Sequence, residues 1–164
     1  MKFFAASDVG LVRKRNEDYF VISEERDLVV LCDGMGGHPG GDIASRMAAE
    51  QIRQAVESET VAQDVPLEME KADELRAFLT LLRGIFVADH KLREYGDANP
   101  EYRGMGTTVV ALQHHQGHLC AAHVGDSRIY VFRNKALEQI TNDHSVVATH
   151  PEYAHLAGWV ATTL

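Results

Sequence analysis

The spacing of apolar residues changes period twice along the chain. Phe3–Ser7 reads as a short strand, and Tyr19–Ile22 with Leu28–Cys32 reads as a hairpin across the charged stretch Ser23–Asp27. Leu28-Val29-Val30-Leu31-Cys32 is continuously apolar, the pattern of a strand buried on both faces. At Gly40-Gly41 the period becomes helical, with Ile43, Ala44, Met47, Ala48, Ile52, Ala55 and Val56 on one stripe. Glu57–Asp64 is polar and reads as a loop. A second helical zone runs from Leu67 to about Tyr95, with Leu75, Phe78, Leu79, Leu82, Ile85, Phe86, Ala88 and Leu92 as its stripe and Gly84 as a weak point. Gly96–Gly104 reads as loop. Thr107–Gln113, His118–His123, Arg128–Phe132 and Leu137–Thr141 are then four β segments separated by turn residues, the pattern of an antiparallel meander. Strands, two long helices and strands again predict an α+β fold, helices layered on antiparallel sheet, as a single domain over residues 1–164.

Composition narrows the function classes. The net charge of −8 leaves no cation excess for general nucleic-acid binding, although Arg13, Lys14 and Arg15 can form a local basic pocket. Cys32 and Cys120 both sit in apolar runs and read as small buried hydrophobes, not a disulfide framework, which fits a reducing compartment. Met1-Lys2-Phe3-Phe4-Ala5-Ala6 imitates a signal peptide, but its apolar run breaks at Ser7-Asp8. No stretch of about 20 apolar residues is present to span a membrane. The expectation is a cytoplasmic protein with neither nucleic-acid nor membrane partners.

Three segments carry candidate chemistry: Ser7-Asp8-Val9-Gly10 to Asn16-Glu17-Asp18, Asp33-Gly34-Met35-Gly36-Gly37-His38, and Val124-Gly125-Asp126-Ser127-Arg128. Each sets a carboxylate beside a glycine or at the end of an apolar run, and carboxylate oxygens suit hard divalent cations. Asp33 ends a buried strand, where a lone charge is costly. Gly34 beside it lets a backbone carbonyl approach the same ion. Asp33-Gly34 reads equally as a glycine-rich turn with Asp33 as acceptor, while the Lys-Ser/Thr of a phosphate loop is missing. Glu17-Asp18 is either a solvated charged turn or, through the hairpin, a partner of Asp33 at a common edge. Asp126-Ser127 is either a hairpin turn bonding its own backbone or part of the same site. Arg13 has the planar fork that suits a phosphate ester. His114, His115, His118 and His123 match no zinc spacing, and a polar hairpin tip at Gln116-Gly117 explains the first three. Met35 and Met105 read as packing residues.

Together these segments resemble the metal-dependent protein phosphatase family, the type 2C serine/threonine phosphatases, in their bacterial form. The matching residues run in order. Ser7-Asp8-Val9-Gly10-Leu11-Val12-Arg13 with Asn16-Glu17-Asp18 is similar to the first motif. Leu31 to His38 with Ala44-Ser45 is similar to the second, and Gly104-Met105-Gly106-Thr107-Thr108 to the third. Val124 to Tyr130 and Ile140-Thr141-Asn142-Asp143-His144-Ser145 complete the series. The resemblance implies an antiparallel β-sandwich flanked by helices, and a cleft holding two Mg2+ or Mn2+ ions. Asp33 would bridge both ions, Gly34 would ligate one through its carbonyl, and Asp18 and Glu17 would hold water on them. Arg13 would clamp the phosphate, and Asp126 would help bind a third, weaker ion. Water would attack phosphorus in line, with no covalent enzyme intermediate, and the partners would be phosphorylated proteins made by a serine/threonine kinase. Met35 stands where many eukaryotic members carry a histidine acting as general acid, so the leaving group must gain its proton another way.

The family domain is longer. Its later Ser-Asp-Gly and Asp-Asn patterns, which supply two more aspartates, do not occur here. After His144 the resemblance fades, and His150-Pro151-Glu152-Tyr153 is only faintly similar to the family's flap region. The expectations are a fold incomplete at its C-terminal end, little activity from this chain alone, and self-association through exposed sheet edges. The competing expectation is a non-catalytic module that binds metal or phosphoproteins.

Overall fold

A computed structural model describes residues 1–35, 39–58 and 72–145, with residues 72–74 described by backbone only. The elements are β1 (Asp18–Ser23), β2 (Leu28–Asp33), α1 (Gly41–Glu57), α2 (Ala72–Ala98), β3 (Val109–His115), β4 (His118–Val124), β5 (Tyr130–Arg133) and β6 (Ala136–Gln139). β1-β2-β3-β4 form one antiparallel sheet, and β5-β6 form a second of two strands. The antiparallel α+β expectation holds. The four late segments, however, divide between two sheets instead of forming one meander.

Alternation decides which side of the larger sheet is covered. Tyr19, Val21, Leu28, Val30, Cys32, Val109, Ala111, Ala122 and Val124 point to one side, where they meet α1 and α2. From α1 come Ala44, Ala48, Ala49, Ile52 and Val56, and from α2 Leu81, Ile85, Ala88 and Leu92. Leu28, Ile52 and Leu81 are fully buried, and each such side chain contributes about 1.5–3 kcal/mol relative to exposure. Gly84 is no weak point, because α2 runs through it unbroken. A Cβ there would lie 3.1 Å from the Ile52 Cα, so glycine lets the two helices close on each other.

Three further expectations are corrected. Phe3–Ser7 forms no strand; it has no paired neighbour, and Phe4 is exposed. Leu28–Cys32 is buried on one face only, since Val29 is half-buried and Leu31 39% exposed on the side away from the helices. α2 extends through Gly96 to Ala98, and its buried stripe is Ala77, Leu81, Ile85, Ala88 and Leu92. Phe78 and Phe86 instead line an open groove against β4, with Phe86 72% exposed. The hairpin tip Gln116-Gly117 is as expected, both residues having positive φ. The second motif's Gly36-Gly37-His38, most of the Glu57–Asp64 loop, the start of the second helical zone and His150-Pro151-Glu152-Tyr153 lie outside the described residues.

Candidate active site

The hairpin brings the first two motifs together. In the β1–β2 register Asp18 lies directly opposite Asp33, both on the face away from the helices. Side chains opposed in this way have Cβ atoms about 4.5–5.5 Å apart, so two carboxylates there repel. The Asp33 carboxyl is accordingly pushed up to about 6. Partial burial is the largest cause, followed by repulsion from and contact with Asp18 and then repulsion from Asp126, while the Arg13 guanidinium pulls the other way. Cys32, one residue earlier, points into the core, where burial pushes its thiol up to about 12 and leaves it no nucleophile.

Backbone contacts fix the surroundings. Gly34 N–H donates to the Glu17 carbonyl at 3.1 Å, and Met35 N–H to the Gly106 carbonyl at 2.9 Å. A Cβ on Gly34 would lie 2.1 Å from the Gly41 carbonyl oxygen, closer than any side chain allows. The first turn of α1 is thus pressed onto the strand end. The Glu17 carboxylate sits against Gly41, at the helix N-terminus, where the backbone dipole favours negative charge. Asn16 Oδ1 accepts from the Asp18 N–H at 3.1 Å, and Asn16 Nδ2 donates to Ser7 Oγ at 2.6 Å, which folds the first motif into a fixed loop.

Thr108 is the site residue that motif reading did not single out for a role. Its hydroxyl accepts from the Asp33 N–H at 3.1 Å and meets Ser127 Oγ at 2.6 Å. Its own N–H donates to the Asp33 carbonyl at 2.9 Å. This relay carries the Gly125–Asp126 turn to the Asp33 strand end. The only sequence signal was its place in Gly104-Met105-Gly106-Thr107-Thr108. Asn142–Ser145 is pinned to the same turn. His144 N–H donates to the Gly125 carbonyl at 2.9 Å, and Gly125 N–H donates to His144 Nδ1 at 3.3 Å. Arg128 forks onto Asp143 at 2.6–3.1 Å.

The structure therefore gathers Asp18, Glu17, Asp33, Gly34, Asp126 and Arg13 at one end of the larger sheet. Among the described residues no group of three or more His, Cys, Asp or Glu side chains is placed to hold a metal ion by itself, the histidines included. The donor set fits Mg2+ or Mn2+ better than zinc: it is all oxygen, and Mg2+ commonly uses one or two carboxylates and keeps several waters. The Asp33 carboxyl, held protonated to about 6 by burial and by the carboxylates facing it, is the kind of group that a divalent cation relieves.

Acidic residues thus converge from β1, β2 and the turn after β4 on one end of the sheet, an arrangement of oxygen donors that suits divalent cations. Residues 12–155 match the sequence profile of the Protein phosphatase 2C family, and the chain belongs to that family. It is 35% identical over 144 residues to the serine/threonine phosphatase stp of Listeria monocytogenes, covering 86% of this chain and 54% of the relative. Protein phosphatase PhpP of Streptococcus pneumoniae is 34% identical over 150 residues, 90% and 56% of the respective chains. The crystal structure of Mycobacterium tuberculosis serine/threonine phosphatase PstP/Ppp superposes with a TM-score of 0.76 at 30% identity, covering 97% of this chain and 66% of that one. The PstP catalytic domain in complex with two manganese ions gives 0.72 at 30% identity, over 96% and 64%. The chain thus spans about half the length of the curated relatives it matches.

Proposed function

We propose that this single domain takes part in hydrolysing phosphoserine and phosphothreonine esters on proteins, using Mg2+ or Mn2+. The observation that carries the reading is the Asp18–Asp33 pairing, with Arg13 close enough to act on Asp33. Asp33 and Asp18 hold the ions, the Gly34 carbonyl and Asp126 add oxygens, and Glu17 orients water at the site. When bound, the ions supply Lewis acidity toward water and the phosphoryl oxygens. Arg13 offers five N–H donors and no acceptor, so it binds phosphate and not cations. The cold Cys32 thiol and the lack of a nucleophile–base pair in the gathered set favour direct attack by water. Two free cysteines favour a cytoplasmic setting, in signalling opposite a serine/threonine kinase. The edge strands β1 and β4, and apolar residues such as Phe132 at 71% exposure, favour self-association at high concentration.

The test is hydrolysis of p-nitrophenyl phosphate with excess Mn2+ by the chain and by Asp18→Asn. Turnover that needs Mn2+ and falls at least 10²-fold in the variant supports the reading. Turnover independent of Mn2+, or untouched by Asp18→Asn, overturns it.

A further inference from the structure

Arg13, Lys14 and Arg15 form the one run of three consecutive cations in a chain of net charge −8. All three are exposed. Arg13 acts on Asp33, but Lys14 and Arg15 make no ion pair or hydrogen bond among the described residues. By contrast, Arg53, Arg93, Arg128 and Arg133 each pair with a carboxylate. Nothing in the described packing uses Lys14 or Arg15, and their segment is held in place. Gly10 N–H donates to Asp8 Oδ1 at 2.7 Å on one side, and Asn16 bonds both Ser7 and Asp18 on the other. Two cations without a partner among the described residues therefore follow Arg13 directly on an anchored loop.

We infer that Lys14 and Arg15 form a basic rim that selects acidic residues flanking the phosphorylated residue of a protein substrate. The inference rests on the proposed phosphatase reading, in which Arg13 holds the phosphate. Consecutive Cα atoms are about 3.8 Å apart, so Lys14 and Arg15 lie within about 8 Å of Arg13 along the chain. A bound peptide in extended form advances about 3.3–3.6 Å per residue. The rim thus faces residues within about two or three positions of the phosphoresidue. Charge complementarity with Lys14 and Arg15 favours Asp or Glu there, and the same two cations repel Lys or Arg. Because the rim is open to water, its effect is a selectivity of modest size that weakens with salt.

The experiment compares two phosphothreonine peptides, identical except for Asp or Ala at the flanking positions, with the full chain and Mn2+ at low salt. Affinity is read by fluorescence anisotropy. The chain is expected to bind the acidic peptide about tenfold more tightly, a factor that shrinks toward one in 0.5 M salt. Lys14→Ala with Arg15→Ala is expected to abolish the preference and leave the alanine-flanked peptide and p-nitrophenyl phosphate turnover unchanged. Equal affinity for the two peptides, or a preference that survives the double substitution, overturns the inference. So does adsorption to anionic phospholipid vesicles that both peptides fail to displace, which would make the rim a membrane contact. p-Nitrophenyl phosphate turnover that does not need Mn2+, or that Asp18→Asn leaves untouched, is a separate outcome. It sinks the phosphatase reading itself, because that substrate has no flanks to select.

Discussion

Asp33→Asn is expected to stabilise the metal-free protein and to destabilise it relative to wild type once Mn2+ is added. In the fold the Asp33 carboxyl is raised to about 6 from an ordinary 3.8. Between those values the native state binds more protons than the unfolded chain, so stability falls as the pH rises through this window. Above about pH 6 the loss is complete, and below about 3.8 it is absent. Taken whole, the shift corresponds to about 3 kcal/mol. Asp33 remains open to solvent on one side, and screening reduces this to about 1 kcal/mol. The amide keeps the shape and removes the charge, so at pH 7.5 in EDTA the variant should unfold at higher urea, by about 1 kcal/mol. The gap should narrow steadily as the pH is lowered toward 4. Mn2+ at 100 times its dissociation constant adds about 2.7 kcal/mol to a protein that binds it only when folded. Wild type should gain this and the variant should not, so the order of stabilities reverses. Urea curves with and without Mn2+, at several pH values, decide the matter. A variant less stable than wild type in EDTA at pH 7.5 would show that Asp33 is stabilised as an anion by the fold alone. Equal gains with Mn2+ would show that the ion binds elsewhere.

Other substitutions probe the surroundings. Gly34→Ala drives a methyl into the Gly41 carbonyl at 2.1 Å and should cost at least 1–3 kcal/mol in urea unfolding, with a weakened Mn2+ response; an unchanged midpoint would contradict the close approach. Thr108→Val keeps the shape but strands the Asp33 N–H and Ser127 hydroxyl, and a loss of about 1–3 kcal/mol with lower Mn2+ affinity is expected by calorimetry. Arg13→Ala should raise KM for a phosphopeptide by roughly tenfold or more and leave Mn2+ affinity alone; a shift in metal dependence at constant KM would assign Arg13 a different role.

The parts legible in the sequence were those with strong local periodicity. The α1 stripe from Ala44 to Val56 is buried as its spacing indicates, and the β1–β2 and β3–β4 hairpins fall where alternation and turn residues place them. Apolar content misled where burial depends on a distant partner. Phe3 and Phe4 look like strand residues, yet among the described residues no strand pairs with them to complete the hydrogen bonds. Phe78 and Phe86 fit a helical stripe, but small Gly84 lets α1 approach on a face rotated away from them. The β5–β6 turn carries no glycine, because Asn134 and Lys135 both adopt positive φ (51° and 62°), a conformation composition does not announce. In the site, acidic residues stood out by chemistry, whereas Thr108 looked like an ordinary strand former. Its importance comes from joining residues 33 and 127, a relation visible only in three dimensions.

The link between β1 and β2 has a further consequence. It is a single 3-10 turn, Glu24–Arg26, closed by Asp27 with a φ of 46°, and Asp27 is tied to β3 by its carbonyl and its carboxylate through His114. Asp18 lies five strand residues from this link, roughly 17 Å away. Strand side chains alternate, so a one-residue slip of β1 against β2 would turn Asp18 toward the helices and seat a neighbour opposite Asp33. The bend is thus a ruler whose length sets the parity of a distant pair of charges. A single-residue insertion between Ser23 and Leu28 could silence the site while leaving every one of its residues intact.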